Sequence, residues 1–97
     1  MAASKKTTRE SRYREILMSD GISFNDCRVL AFVFERPLDA ETFHLRLMNA
    51  DQRPEYHIFD YLGSMAHVVA PNDEQTLVRI QGIAEQMGGK KTTPNLI

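Results

Sequence analysis

The sequence predicts an α+β domain, in which a small antiparallel sheet carries a C-terminal amphipathic helix packed on one face. The segment 28–35 is apolar in succession and rich in β-branched and aromatic residues, which is typical of a central strand covered on both faces. The segment 72–88 instead repeats apolar residues at helical spacing. The 97 residues suffice for one domain, and the 42% hydrophobic content excludes a disordered, collagen-like or coiled-coil chain.

The helix predicted over 72–88 has signals at both ends. Asn72 is a candidate N-cap, acidic residues follow it, and glycines at 88 and 89 suit a left-handed C-cap. The apolar stripe consists of Leu77, Ile80, Ala84 and Met87. Gly82 lowers the helix propensity in the interior, so we expect another backbone to pack closely there.

Two further strands, 55–61 and 64–70, read as a hairpin because they flank a short turn at Leu62 and Gly63. The length of the turn decides where two histidines lie. A three-residue turn places His57 and His67 on the same face of the hairpin, whereas a two-residue turn places them on opposite faces.

Two segments are compatible with either helix or strand. The segment 38–50 fits a helix starting near Asp39, which gives a ferredoxin-like β-α-β-β-α order without a clear last strand, and this interpretation is favoured. As a strand it gives an antiparallel meander with one closing helix. The segment 12–18 is an opening helix or a strand that turns at Asp20. We expect a flexible basic leader over 1–8, one domain over 9–89 and a tail over 90–97.

Composition indicates the location of the chain. The longest apolar run, 29–34, is far shorter than the ~20 residues that cross a bilayer, so no membrane contact is expected. The amino terminus lacks the apolar stretch of a secretory signal, and Cys27 is the single cysteine, which excludes an intramolecular disulfide scaffold. We therefore expect a cytoplasmic protein.

No motif in the sequence predicts catalysis, a cofactor or a metal. The three histidines, His44, His57 and His67, lack the close spacing of zinc ligands. Cys27 follows Asp26, whose negative charge disfavours a thiolate nucleophile. No carboxylate pair is marked by spacing, and no glycine-rich loop precedes a helix. The sequence thus predicts a protein that is not an enzyme.

The sequence predicts function through protein–protein contact. The hairpin 56–69 is apolar on both faces, and one or two small helices do not cover it fully. The protein would be an adaptor, inhibitor or regulatory subunit that also associates with itself. The predicted contact residues are Tyr56, Phe59, Tyr61 and Met65.

Two alternatives belong to other classes. The net charge is −1, but residues 1–15 carry five basic and two acidic side chains, so a basic arm could bind nucleic acid in a salt-dependent way. Its contacts would be Lys5, Lys6, Arg9, Arg12, Tyr13 and Arg14. The second alternative is a small ferredoxin-like dimeric enzyme or ligand-binding domain, with His57 and Asp60 converging in a pocket.

Overall fold

The computed structural model describes residues 7–51 and 53–97. Its antiparallel sheet has the strand order β2-β3-β1-β4, formed by β1 (Cys27–Val33), β2 (Ile58–Leu62), β3 (Met65–Pro71) and β4 (Lys90–Thr92). The helices are α1 (Arg9–Ser19), α2 (Pro37–Met48) and α3 (Glu74–Gln86), with a short 3-10 turn over Phe24–Asp26. The α+β prediction is confirmed. After α1 the elements follow the β-α-β-β-α-β order of a ferredoxin-like arrangement, with β4 as the last strand.

Both ambiguous segments are helices, and each begins for a local reason. Thr8 caps α1, because its hydroxyl accepts from the Ser11 amide while the Ser11 hydroxyl accepts from the Thr8 amide. Helix α2 begins at Pro37, whose fixed φ and missing amide hydrogen suit the first helical position. Asp39 therefore lies inside the first turn instead of capping it, and its carboxylate accepts from Arg36.

Helix α3 is shorter than the predicted 72–88. Asp73 is the cap in place of Asn72, because the Asp73 carboxylate accepts from the Thr76 amide at 3.1 Å. The Asn72 amide instead donates to the Asp26 carbonyl. At the other end Gly88 has a φ of +79°, as a left-handed C-cap requires.

The sheet is covered on both faces, as the apolar run in β1 predicts. Helices α2 and α3 cover one face, and the buried cluster there is Leu30, Phe32, Phe34, Ala40, Phe43, Leu47, Ala66, Val68, Ala70, Ile80 and Ala84. Helix α1 covers the other face, where its Tyr13 and Leu17 pack with Val69 of β3. The two faces are called the α2/α3 face and the α1 face below.

The segment 90–97, expected to be a tail, forms part of the fold. Lys90–Thr92 pair with the end of β1, and this ladder joins residues about 60 positions apart, which local sequence patterns do not reveal. If the pairing of β4 with β1 continued in the same register, Pro94 would lie opposite Val29, but proline has no amide hydrogen to donate to the neighbouring strand. The chain then crosses to the α1 face, where Leu96 packs against the apolar cluster.

We predict opposite effects of alanine at two glycines, measured by urea unfolding. Apart from its chain neighbours and the backbone of its own helix, no heavy atom of the described residues lies within 4 Å of a Cβ built on Gly82, so the close packing expected there is absent. Gly82→Ala should raise the free energy of unfolding by about 0.5–1 kcal/mol. A Cβ on Gly89 meets the Phe34 ring at 2.7 Å and the Ala84 carbonyl at 2.9 Å, so Gly89→Ala should lower it by about 1–3 kcal/mol. Equal effects would contradict this packing.

Candidate functional site

Strand β2 forms one edge of the sheet, and no strand of residues 7–51 or 53–97 pairs with its outer side. The turn between β2 and β3 has two residues, because Leu62 pairs with Met65. Residues that flank such a turn exchange backbone hydrogen bonds with each other. Alternate residues of β2 therefore bond to β3, and the N–H and C=O groups of Phe59 and Tyr61 point away from the sheet.

An aromatic cluster supports this edge on the α2/α3 face. The His44 ring stacks on Phe59 with a centroid distance of 4.0 Å, and Phe43 packs against Phe59 at 5.5 Å. Tyr61 contacts Phe59 at 4.8 Å, and its hydroxyl lies 3.1 Å from His44 Nδ1. His57 packs edge-on against His44. The cluster fixes the position of β2 against α2.

The surroundings of the two histidines in this cluster favour their neutral forms. Burial lowers the pKa of His44. Burial also lowers the pKa of His57, and the nearby His44 and Arg53 charges lower it further. The edge therefore gains no positive charge from its histidines near neutral pH.

Exposed apolar side chains flank the unpaired edge. Met48 of α2 and Tyr61 of β2 are 45% and 46% exposed, and Met48 lies one helical turn after His44, which stacks on Phe59 of β2. Glu41 lies beside Tyr61 at the hairpin end, and Arg53 lies near His57 at the other end. We call this region the β2 edge surface: the outer backbone of β2 with Met48 and Tyr61, flanked by Glu41 and Arg53.

The four predicted contact residues do not share one surface. Phe59 and Tyr61 lie at the β2 edge surface, although the Phe59 ring is largely covered by its aromatic neighbours. Tyr56 packs with the α1-face cluster, where its hydroxyl lies 3.5 Å from the sulfur of Cys27. Met65 lies on the α1 face because it is two residues from His67. The separation follows from the alternation of side chains along a strand.

A polar network is buried on the α1 face. The Tyr13 hydroxyl donates to Asp60 Oδ2 at 2.6 Å and lies 2.8 Å from Nδ1 of His67. The backbone amide of Asn95 donates to Nε2 of the same ring at 3.1 Å. His67 is 0% exposed and Tyr13 is 2% exposed. We call these four groups the His67 network.

The donors and acceptors of the His67 network select one tautomer of the imidazole. The Asn95 amide can only donate, so Nε2 must be unprotonated. The Tyr13 hydrogen is directed at Asp60, so the Tyr13 oxygen accepts from Nδ1–H. Neutral His67 with its proton on Nδ1 therefore satisfies every bond of the network.

The electrostatics of the network favour these protonation states. Burial lowers the pKa of His67, the Asp60 carboxylate partly opposes this, and the Arg9 charge lowers it further. Burial and the Asp60 carboxylate raise the pKa of Tyr13, so the phenol keeps its hydrogen. Arg12 lies 3.4 Å from Asp60 on the solvent side.

The predicted nucleic-acid contacts are occupied within the domain where the structure describes them. Lys5 and Lys6 lie outside the described residues. Arg9 donates to the Ile97 carbonyl at 2.6 Å, while Arg14 bonds to Glu10 and stacks over Phe24. The buried ring of Tyr13 does not face solvent, so it is not placed to stack on a base.

The predicted pocket residues His57 and Asp60 lie on opposite faces of the sheet, because His57 packs against His44 of α2 while Asp60 bonds to Tyr13 of α1. A depression of about 450 Å³ lies elsewhere, beside α3 and β1, with Leu30 and Leu77 in its lining. Within residues 7–51 and 53–97, no three His, Cys, Asp or Glu side chains form a potential metal site. Cys27 is partly buried, with its sulfur close to the Tyr56 hydroxyl.

Two residues of these sites gave no signal in the sequence. Met48 belonged to an ambiguous segment, and once it is a helix its spacing places it outside the buried stripe of Ala40, Phe43 and Leu47. Asn95 bonds to His67 through its backbone, so no side-chain pattern could identify it. A polar residue inside the apolar strand 64–70 was the one available signal for His67.

The chain matches no known protein family, and no curated protein or solved structure matches it. Among the described helices, none has the length and apolar character needed to cross a membrane. Function is therefore inferred from the β2 edge surface and the His67 network.

We predict that Tyr13→Phe lowers the free energy of unfolding by about 1–3 kcal/mol at pH 7.5, measured in urea. The change leaves Nδ1–H of His67 without an acceptor and removes one donor from Asp60. Tyr61→Phe is the matched control, because its hydroxyl bonds to His44 at an exposed position, and it should cost at most about 0.5 kcal/mol. Equal losses would contradict a buried network.

Stability should also fall as the pH drops from 7.5 to 5. The pKa of each histidine is lowered in the folded chain. Below the unfolded value of about 6.5, the unfolded chain therefore binds more protons than the folded one. The expected slope is at most about 1.4 kcal/mol per pH unit for each histidine. A constant or rising free energy of unfolding over this range would contradict burial of neutral histidines.

Proposed function

We propose that this protein is a non-catalytic interaction module of the cytoplasm that works by protein–protein contact, and that the first partner of its β2 edge surface is a second copy of the chain. The observation that supports this most is the unpaired edge of β2, flanked by exposed Met48 and Tyr61. An open strand edge beside apolar side chains is a template for pairing with another chain.

Antiparallel pairing of two β2 strands around a two-fold axis at Asp60 uses every outward backbone group. Phe59 of one copy then lies opposite Tyr61 of the other, and the two residues exchange N–H and C=O bonds. The same pairing occurs twice by symmetry, so one contact satisfies both edges and closes at a dimer. The two sheets become one of eight strands.

The side chains of the edge are compatible with this pairing. On the α2/α3 face, the aromatic rings of Phe59 and Tyr61 meet across the strands, and such cross-strand pairs are stabilising. On the α1 face, the two Asp60 carboxylates approach each other. Arg12 offsets this repulsion, because its guanidinium already lies 3.4 Å from Asp60 in each copy.

Charge at the two ends of the β2 edge surface is self-complementary. Glu41 lies at the hairpin end and Arg53 at the opposite end of the strand. The two-fold axis reverses the direction of the second copy, so it brings Glu41 of each copy toward Arg53 of the other. Opposite charges at both ends fix the register of the pair and increase the rate of association.

The opposite edge of the sheet is built differently. Strand β4 has three residues, and two of them are Lys90 and Lys91. Short strands and lysines are the usual protection of an edge against pairing. Strand β2 has one charged residue, Asp60, which is already paired with Arg12. The contrast favours β2 as the edge that binds. A role as adaptor, inhibitor or regulatory subunit would depend on the surface that the dimer exposes to other proteins.

We predict that light scattering after size exclusion gives about twice the 11.1 kDa chain mass for the wild type. Tyr61→Lys should give a monomer, because it places a lysine on the edge. Val78→Lys is the matched control, since Val78 is 64% exposed on α3, and it should remain a dimer. A wild type that is monomeric at roughly millimolar concentration would contradict the proposal.

Charge reversal tests the orientation of the two copies. Glu41→Arg should raise the dimer Kd by roughly tenfold, because it places arginine opposite Arg53 of the second copy. Adding Arg53→Glu should restore the wild-type Kd. Failure of the double variant to restore it would exclude the antiparallel register. A monomer that elutes with nucleic acid at low salt would favour the basic-arm alternative instead.

A further inference from the structure

The last five residues, 93–97, cross the α1 face and are called the strap below. Three hydrogen bonds join the backbone of the strap to the domain. The Asn95 amide donates to His67. The Leu96 carbonyl accepts from the Glu10 amide at 3.2 Å, and the Ile97 carbonyl accepts from Arg9. The Leu96 side chain packs against the apolar cluster under α1. The bond to His67 is the one made to a fully buried side chain.

We propose that the strap is releasable and that its attachment requires the unprotonated Nε2 of His67, so that proton uptake by His67 detaches it. The proposal concerns the α1 face and does not depend on the pairing of β2.

The geometry allows the network no way to adapt to a second proton. Nδ1–H already donates to the Tyr13 oxygen, and the Tyr13 hydrogen is committed to Asp60 at 2.6 Å. Added charge therefore appears as a hydrogen on Nε2. This hydrogen would point at the Asn95 amide hydrogen across a nitrogen–nitrogen distance of 3.1 Å. Two donors facing each other repel, and water can accept from Nε2 only after the strap has moved.

The charges around His67 come from two elements. Helix α1 contributes Arg9, Arg12 and the phenol of Tyr13, while β2 contributes Asp60. Strand β1 places Ala31 opposite His67, and β4 places Thr92 opposite Ala31, so neither adds a charge. Asp60 favours an imidazolium, but Tyr13 lies between the two groups and Arg12 offsets the carboxylate. Nothing in this surrounding replaces the acceptor role of Nε2 for the strap.

Release has a defined consequence for the surface. It withdraws Leu96 from the cluster that contains Tyr13, Leu17 and Val69, so apolar surface under α1 becomes accessible. It also frees the Arg9 guanidinium and the Glu10 amide at the start of α1. The strap is thus a covering segment whose position reports the protonation of one buried ring.

The test is hydrogen exchange of the Asn95 amide by NMR between pH 7.5 and 5, expressed as a protection factor so that the intrinsic pH dependence cancels. It is carried out on the full chain, both as wild type and as the Tyr61→Lys variant, so that the state of the β2 edge is controlled. The Ile80 amide in α3 reports the global fold, since Ile80 is fully buried. In the wild type we expect Asn95 protection to fall at least roughly tenfold while Ile80 stays protected.

Two glutamine variants identify the responsible ring. His67→Gln keeps an acceptor near the position of Nε2 but cannot titrate, so Asn95 protection should no longer depend on pH. His57→Gln is the matched control on the opposite face, where His57 packs against His44, and its pH dependence should equal that of the wild type. If His67→Gln does not fold, Asn95→Pro removes the donor and should lower the protection of the Glu10 amide, which donates to the Leu96 carbonyl, already at pH 7.5.

The proposal is overturned if Asn95 protection in the wild type is constant down to pH 5. It is also overturned if Asn95 and Ile80 lose protection together, because the event is then global unfolding. The proposal is likewise overturned if the protection of the Asn95 amide depends on pH equally in His67→Gln and in the wild type. None of these results depends on whether the chain forms a dimer, so failure here is distinguishable from failure of the proposed β2 pairing.

Discussion

The hydrogen bond between Tyr13 and His67 attaches the first helix to the central strand β3 across the buried α1 face. Through Asp60 the same phenol reaches the edge strand β2. Through the far side of its ring, His67 holds the last residues of the chain. Such a buried polar group is tolerated only when every donor and acceptor is satisfied. The position of α1 and of the strap therefore depends on one protonation state.

Different interactions stabilise the two faces of the sheet. The α2/α3 face is an apolar cluster with four packed phenylalanine rings, where stability comes from burial and shape. The α1 face combines a smaller apolar cluster with the His67 network, where stability depends on pH. The edges differ as well, since β4 carries lysines and β2 carries aromatic residues. This asymmetry directs our functional proposals to the β2 edge and the α1 face.

Local signals in the sequence predict much of this fold. The apolar run in β1, the helical stripe of α3 and the hairpin were visible because each depends on neighbours in the chain. The strand β4 and the His67 network were not, because Lys91 pairs with Phe32, and Tyr13 bonds to a residue 54 positions away. Tyr13 also looked like part of a basic arm, since a phenol between two arginines gives no sign of a buried partner.

The most direct test of this account is the tautomer of His67, read from a long-range ¹H–¹⁵N correlation spectrum of its ring at pH 7.5. The account predicts a proton on Nδ1 and an unprotonated Nε2, since the Asn95 amide can only donate. A ring with its proton on Nε2, or one protonated at both nitrogens at this pH, would contradict the network and the strap that it holds.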